Sequence, residues 1–279
     1  MLTMDSPLNA SRLASLCQAA AQGLAIEVVA STGSTNADLR ARLQGLTQPL
    51  LLAAEQQNAG RGRAGRSWLS APGESLCFSL AWRFAGPMSK LAGLPLAVGV
   101  MLAETLAVLG WPVSLKWPND LLKQEAKLGG ILIETANSRS DNPAQAPVWA
   151  VIGIGINIHQ SAQLAAAVGN RIAALDDKPV DRNSLLAALA DALATALPQF
   201  DQHGLAPFMA RWEKLHAYAG LTVRIMEAER ILPEGIARGI DGSGRLLLET
   251  AAGLVAVTAG DVSLRPRVSH NEASHAAID

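Results

Sequence analysis

Apolar runs along the chain alternate with short polar or glycine-rich breaks, and their periods predict the elements. "SLCFSLAWRF" places apolar residues at every second position and reads as an alternating strand. Upstream, the β-branched run at residues 26–30 predicts another strand. "STGSTNADLRARL" then turns into a helix, with Thr35 and Asp38 at the spacing of a capping box. "PLLLAAEQQ" is a continuous apolar strand ending in polar residues, and "VSLKWPND" is a strand stopped by Pro118. "KLGGILIET" and "PVWAVIGIGINI" are two more strands with glycines inside them, where a bulge or the close approach of a ligand is expected. Residues 183–217, rich in alanine and leucine, predict two helices separated near Gly204. "LAGLPLAVGVMLAETLAVLGW" approaches the ~20 residues of a membrane span. Pro95, Gly99 and Glu104 interrupt it, so a buried helix is expected and no membrane association.

The pattern changes over residues 221–264 to short strands and turns, with "DGSG" at Asp241 to Gly244 a strong hairpin signal. This predicts a small β-barrel appended to an α+β domain. The division is residues 1–219, opening with a short extension at 1–23, then 220–268, then a flexible tail at 269–279. At 279 residues the chain fits one main domain with a small appendage. With 49% hydrophobic and 17% charged residues it has the material for a large core.

The formal net charge of −1 lacks the basic excess that duplex binding requires, so no nucleic-acid partner is expected. Against that neutrality, Arg61, Arg63 and Arg66 crowd into "AGRGRAGRSW", which suggests a site for a small anion. Cys17 and Cys77 form neither a disulfide framework nor a metal or redox pair, which fits a reducing cytoplasm. The N-terminus carries no basic region followed by an apolar stretch, so no secretory signal is read there.

Gly60, Gly62 and Gly65 satisfy G-x-G-x-x-G after a strand. A dinucleotide fingerprint also needs a helix opening at the glycines, and "SWLSAPGESL" has no helical period. No G-x-x-x-x-G-K-[ST] is present, which excludes a P-loop. The histidines His159, His203, His216, His270 and His275 are scattered and form no Ser/His/Asp or metal-ligand set.

Four segments in order, "EVVASTGSTNADL", "GRGRAGR", "KWPNDLL" with "KLGGILIE", and "IGIGINI", together resemble the biotin protein ligase family. The resemblance runs from about residue 26 to the barrel near residue 264. It implies a mixed sheet with flanking helices, like class II aminoacyl-tRNA synthetases and the biotin–lipoyl ligases, followed by a Src-homology-3-like barrel. The implied substrates are biotin and ATP with Mg²⁺, joined as biotinyl-5′-AMP. The implied acceptor is one lysine of the biotin carboxyl carrier domain of a carboxylase.

By the same resemblance, Ser34, Thr35, Asn36 and Gln57 match the biotin-ring segment, and Arg61, Gly62 and Arg63 match ligand contacts in a loop that folds over biotin and the adenylate. Lys127 matches the lysine that neutralises the biotin carboxylate and the charge developing at the α-phosphate. Gly60, Arg66, Trp68, Asn119, Asp120 and Asn157 are candidates on the nucleotide side, with Lys127, Arg63 and Asp120 as the catalytic set. As local structure alone, Ser34 to Asn36 also read as a helix cap and Asn119–Asp120 as a turn. A glycine-rich loop of this kind is expected to be mobile when empty, and its closure would exclude water from a mixed anhydride.

The sequence departs from the commoner family pattern at Ala64, where a third consecutive basic residue is usual. Some relatives begin with a helix-turn-helix that binds DNA; three helices of ~10–14 residues do not fit into residues 1–23. A biotin-responsive regulator and a lipoate or octanoyl ligase on a related scaffold are the alternatives. Whether the chain is a monomer or a dimer is left open.

Overall fold

A computed structural model describes residues 6–137, 147–159, 172–227, 230–259 and 262–266. The tail expected at 269–279, with His270 and His275, lies outside the described residues.

Seven strands form one mixed sheet: β1 (Ala25–Thr32), β2 (Leu50–Gln57), β3 (Ser75–Phe84), β4 (Ser114–Lys116), β5 (Asp120–Lys123), β6 (Ala126–Asn137) and β7 (Val148–Asn157). They lie in the order β1-β2-β3-β7-β6-β5-β4. Only β1 and β2 run parallel, because helix α2 (Thr35–Arg42) supplies the crossover between them. The other ladders are antiparallel.

Alternation along the central strands separates the two faces of the sheet. Ile152, Ile154 and Ile156 of β7, with Leu76, Phe78 and Leu80 of β3, enter the main core. Helices α3 (Leu94–Val108), α4 (Arg182–His203) and α5 (Ala206–Leu215) cover that face. The long apolar run is thus α3, hydrophobic all round and packed on α4 and α5, with every residue from Leu96 to Ala103 buried. On the other face, a smaller cluster of Leu39, Leu43, Leu50, Leu52, Ala81, Trp149 and Val151 seats α2 and leaves the middle of the sheet uncovered.

Two local expectations are corrected. Thr35 is not the helix cap: Ser34 is, accepting from Ala37 N at 3.5 Å, while the Asp38 carboxylate accepts instead from Thr32 Oγ1. Asn119 lies in a turn, but Asp120 opens β5, paired with Lys116 on β4 and Gly130 on β6. The four-residue β5 is too short to announce itself between a proline and a turn.

Residues 6–23 of the N-terminal extension are also folded. Helix α1 (Ala10–Leu16), capped by Asn9, buries Leu13, and a part-buried ion pair between Arg182 and Glu55 at 2.7 Å anchors the segment before it, through Ser6 O and Leu8 N.

The C-terminal sheet is antiparallel and five-stranded, ordered β11-β10-β9-β8-β12: β8 (Thr222–Glu227), β9 (Arg230–Ile240), β10 (Leu246–Thr250), β11 (Gly253–Val257) and β12 (Val262–Pro266). Asp241 to Gly244 form the predicted hairpin turn, with Gly244 at φ 77°. Val223, Ile225, Ile240, Leu246, Leu248 and Leu264 join the main core, so one hydrophobic layer is continuous from the large sheet into this unit.

Candidate active site

The uncovered face of the large sheet holds a cavity of about 340 Å³. Its floor follows two cross-strand rows, Ser79–Gly153–Leu132 and Cys77–Gly155–Gly130–Asp120. From β3 to β5 the second row spans three strand spacings, roughly 14 Å. Two glycines of "IGIGIN" are required there by close approach. A Cβ on Gly153 would stand 2.2 Å from Asn36 Oδ1, and one on Gly155 would stand 2.4 Å from the Trp68 indole.

The β3 end of the floor is neutral and polar. The start of α2 brings Ser34, Thr35 and Asn36, all buried, over Ser79. Thr35 N donates to Gln57 Oε1 at 2.9 Å, Thr35 Oγ1 and Ser79 Oγ lie 2.6 Å apart, and Ser79 Oγ donates to Asn36 Oδ1 at 2.6 Å. Four predicted residues therefore converge on one hydrogen-bonded wall.

The β5 end is ionic. Asp120 stands between two lysines: Lys127 Nζ is 2.7 Å from Oδ1 and Lys116 Nζ is 3.5 Å from Oδ2. Burial holds the Lys116 ammonium below the usual lysine range, partly opposed by the adjacent Asp120 and reinforced by the positive charges of Arg265 and Lys127. Arg265 reaches this wall from β12. Six cationic side chains, Arg61, Arg63, Arg66, Lys116, Lys127 and Arg265, line the cavity against two carboxylates, Asp120 and Glu125. In a chain of net charge −1 such a concentration fits a polyanionic ligand.

Between the two ends the arginine loop folds back on itself, with Arg61 bridged to Ser67 and Gly62 N donating to Arg66 O at 2.7 Å. Ala64 holds a left-handed conformation at φ 54° in its tip. Arg63 donates to Asn119 Oδ1 at 3.1 Å, and Asn119 is itself fastened to β6 through its Nδ2 and backbone bonds with Ile131. Trp68 lays its indole across Gly155 and near Gly130, with a buried Nε1 that makes no hydrogen bond of ordinary geometry. Beneath it, burial pushes the Cys77 thiol up to about 11. Asn157 ties the following segment to the sheet, donating to Ala173 O at 3.0 Å, while Ala173 N donates to Lys127 O.

Every predicted site residue except Gly60 lines the cavity. Gly60 belongs instead to the neck of the loop, where its carbonyl accepts from Trp68 N and a Cβ would meet Trp68 O at 2.4 Å. Lys116, Ser79, Tyr218 and Arg265 line the cavity without having been predicted. Lys116 opens the "KWPND" motif and Ser79 is a small polar break in an apolar strand, so both left a signal. Arg265 left none, because its approach depends on how β12 meets the large sheet.

Fold and site together define a cleft with a neutral, hydrogen-bonding end and a cationic end across one floor. Residues 25–157 match the biotin/lipoate A/B protein ligase family, and residues 220–265 match the biotin protein ligase C-terminal domain. Over 246 residues the chain is 39% identical to the bifunctional ligase/repressor BirA of Escherichia coli, covering 87% of this chain and 75% of that protein. It is 33% identical to the biotin–[acetyl-CoA-carboxylase] ligase of Mycobacterium tuberculosis, over 85% of this chain and 88% of that one. Among solved structures, the biotin protein ligase of Aquifex aeolicus in complex with biotin and ATP superimposes with a TM-score of 0.72 at 28% identity, covering 87% of this chain and 99% of that chain. The chain belongs to the biotin/lipoate A/B protein ligase family, and within it to the biotin protein ligases.

Proposed function

We propose that this cavity joins biotin to ATP and then passes the biotinyl group to a lysine of a biotin carboxyl carrier domain. In the first step a biotin carboxylate oxygen attacks the α-phosphorus and pyrophosphate leaves. In the second, the carrier amine loses its proton, attacks the acyl carbon and displaces AMP. The first step sets two anions against each other, at about 4 kcal/mol per charge pair for ~4 Å and an effective dielectric near 20. Fixed cations must offset that repulsion.

The observation that carries this reading is the pairing of a neutral, hydrogen-bonding wall at β3 with a cationic wall at β5 across one floor. The first wall suits the ureido ring, held by Ser34, Thr35, Asn36 and Gln57. The second suits the reacting carboxylate and phosphates, with Lys127 at the meeting point and Asp120 holding its ammonium in place. Arg61, Gly62 and Arg63 close over the ligand. Arginine fits that task because its planar fork donates in pairs and stays charged. Trp68, Arg66, Asn119 and Asn157 serve the adenylate.

Among the described residues no three His, Cys, Asp or Glu side chains cluster as a metal cage. Asp120 and Glu125, the carboxylates that line the cavity, would hold Mg²⁺ together with the phosphates of the nucleotide, and the ion would offset phosphate charge there. Positioning supplies most of the rate of the transfer step.

The test is incubation with ATP, Mg²⁺ and either biotin or lipoate, following pyrophosphate. Release with biotin alone supports the reading. Release only with lipoate would replace it, and no release with either would end it.

A further inference from the structure

Glu134 stands on β6 two residues beyond Leu132, and only donors surround its carboxylate. Oε2 accepts from Asn36 Nδ2 at 2.9 Å, Oε1 accepts from Arg40 of α2 at 2.7 Å, and Arg61 of the loop lies 3.9 Å from Oε2. The Asn36 Nδ2 group also faces the Leu132 carbonyl at 3.3 Å, so the amide oxygen must point the other way, toward Ser79. Ser79 has one proton, and it goes to Asn36 Oδ1. The 2.6 Å contact between Ser79 and Thr35 must then be donated by Thr35, in preference to its longer 3.1 Å approach to Gln57 Oε1. The chain consequently has a direction, from Thr35 through Ser79 and Asn36 to Glu134. It leaves the Thr35 oxygen with lone pairs at the cavity wall.

We propose that Glu134 is a positioning residue that sets this direction, so that the wall accepts from an N–H of the ligand, as a cyclic urea offers and a dithiolane does not. The inference rests on reading the cavity as a biotin site. A carboxylate can accept at both ends, whereas a carboxamide can accept at one only. In Glu134→Gln the new NH₂ must therefore face either Arg40 or Asn36, both of them donors. Leaving the oxygen on Arg40 sets two amide NH₂ groups against each other and drives Asn36 to turn against the Leu132 carbonyl. Removing Arg40 as well frees the Gln oxygen to face Asn36, where Arg61 also finds an acceptor.

The expected outcome is specific. Glu134→Gln raises the KM for biotin roughly tenfold, the cost of one part-buried mismatched hydrogen bond, while kcat for pyrophosphate release stays within about threefold. Arg40→Ala alone leaves KM near wild type, since Arg40 is half exposed and outside the cavity lining. The double variant R40A/E134Q returns KM to within about threefold of wild type, a rescue that a purely structural role would not give. An unchanged KM in the single Glu134 variant, or no rescue in the double, overturns the proposal. Should Glu134→Gln prove insoluble, Ser79→Ala interrupts the same chain and must raise KM alike; an unchanged value there also overturns it. A wild-type enzyme that releases no pyrophosphate with biotin would instead refute the biotin reading itself.

Discussion

The Trp117 indole Nε1 donates to the backbone carbonyl of Gly244 at 3.1 Å, in a buried position. One partner belongs to the turn that carries Asn119 and leads into Asp120, and the other to the tip of a hairpin in the C-terminal sheet. That sheet also sends Leu264 and Arg265 to the cavity wall. Removal of residues 221–279 should therefore impair activity through the site itself, by withdrawing an arginine and the acceptor of Trp117. A milder variant separates these effects. Trp117→Phe keeps the apolar bulk but leaves a buried carbonyl unpaired, at a cost of about 1–3 kcal/mol. We expect lower thermal stability and a reduced kcat. Full activity in the truncated enzyme would show that the C-terminal sheet supports neither.

Lys127→Ala should reduce adenylation by ~10²-fold or more, as expected for losing one preorganised charge at the reacting centre. The same change strips Asp120 of its 2.7 Å partner and leaves it Lys116 at 3.5 Å. A Lys127→Arg variant keeps the charge but not the point geometry, so it should recover only part of the rate. Pyrophosphate release at saturating biotin and ATP measures both, and near-normal turnover in the alanine variant would remove Lys127 from the mechanism.

How much of this was legible beforehand differs by element. Strict alternation made "SLCFSLAWRF" readable as β3 to the residue, but not the burial of both faces from Ser75 to Ala81, which follows from α2 and the arginine loop covering the second face. The glycines of "IGIGIN" were legible only as a sign of close approach. What approaches them, Asn36 and Trp68, comes from α2 and the arginine loop, neither of which neighbours β7 in sequence. Lys116 was overlooked because a strand-end lysine ordinarily faces water; its burial depends on how β4, β5 and β12 meet. Glu134 ends "GGILIE" as an ordinary strand-end carboxylate would, and its three donors arrive from two other segments, α2 and the arginine loop. Local pattern thus fixes which residues share a face, while the partners on that face follow from the long-range ladders.

His216 gives a prediction in acid. It is buried, stacked on Trp212 at 4.4 Å between ring centres, and neither ring nitrogen has a hydrogen-bond partner among the described residues. Burial lowers its pKa from an ordinary 6.5 to about 4. A folded-state pKa below the unfolded one means that the unfolded chain binds the proton first, so stability is full above pH 6.5 and falls as the pH drops toward about 4. The full loss is on the order of 3 kcal/mol. His216→Phe keeps the stack and removes the titration. Denaturant unfolding at pH 7 and pH 4.5 should show a smaller acid penalty in the variant than in the wild type; equal penalties would place the acid sensitivity elsewhere.

Arg63 is held by Asn119 across the mouth of the cavity, and that contact predicts how the loop retains its product. Arg63→Gly removes both the charge and the latch and raises the flexibility of a loop that already holds Gly60, Gly62 and Gly65. The adenylate should then escape before a carrier arrives, and biotin should appear on unrelated surface lysines. Asn119→Ala keeps the arginine but removes its acceptor, together with the Nδ2 bond to Ile131 O, so it should show the same leak to a smaller degree. Mass spectrometry of a mixture of carrier and bystander proteins distinguishes the outcomes. Selectivity for the carrier unchanged in both variants would mean that retention depends on the cationic floor at Lys116, Lys127 and Arg265 and not on the loop.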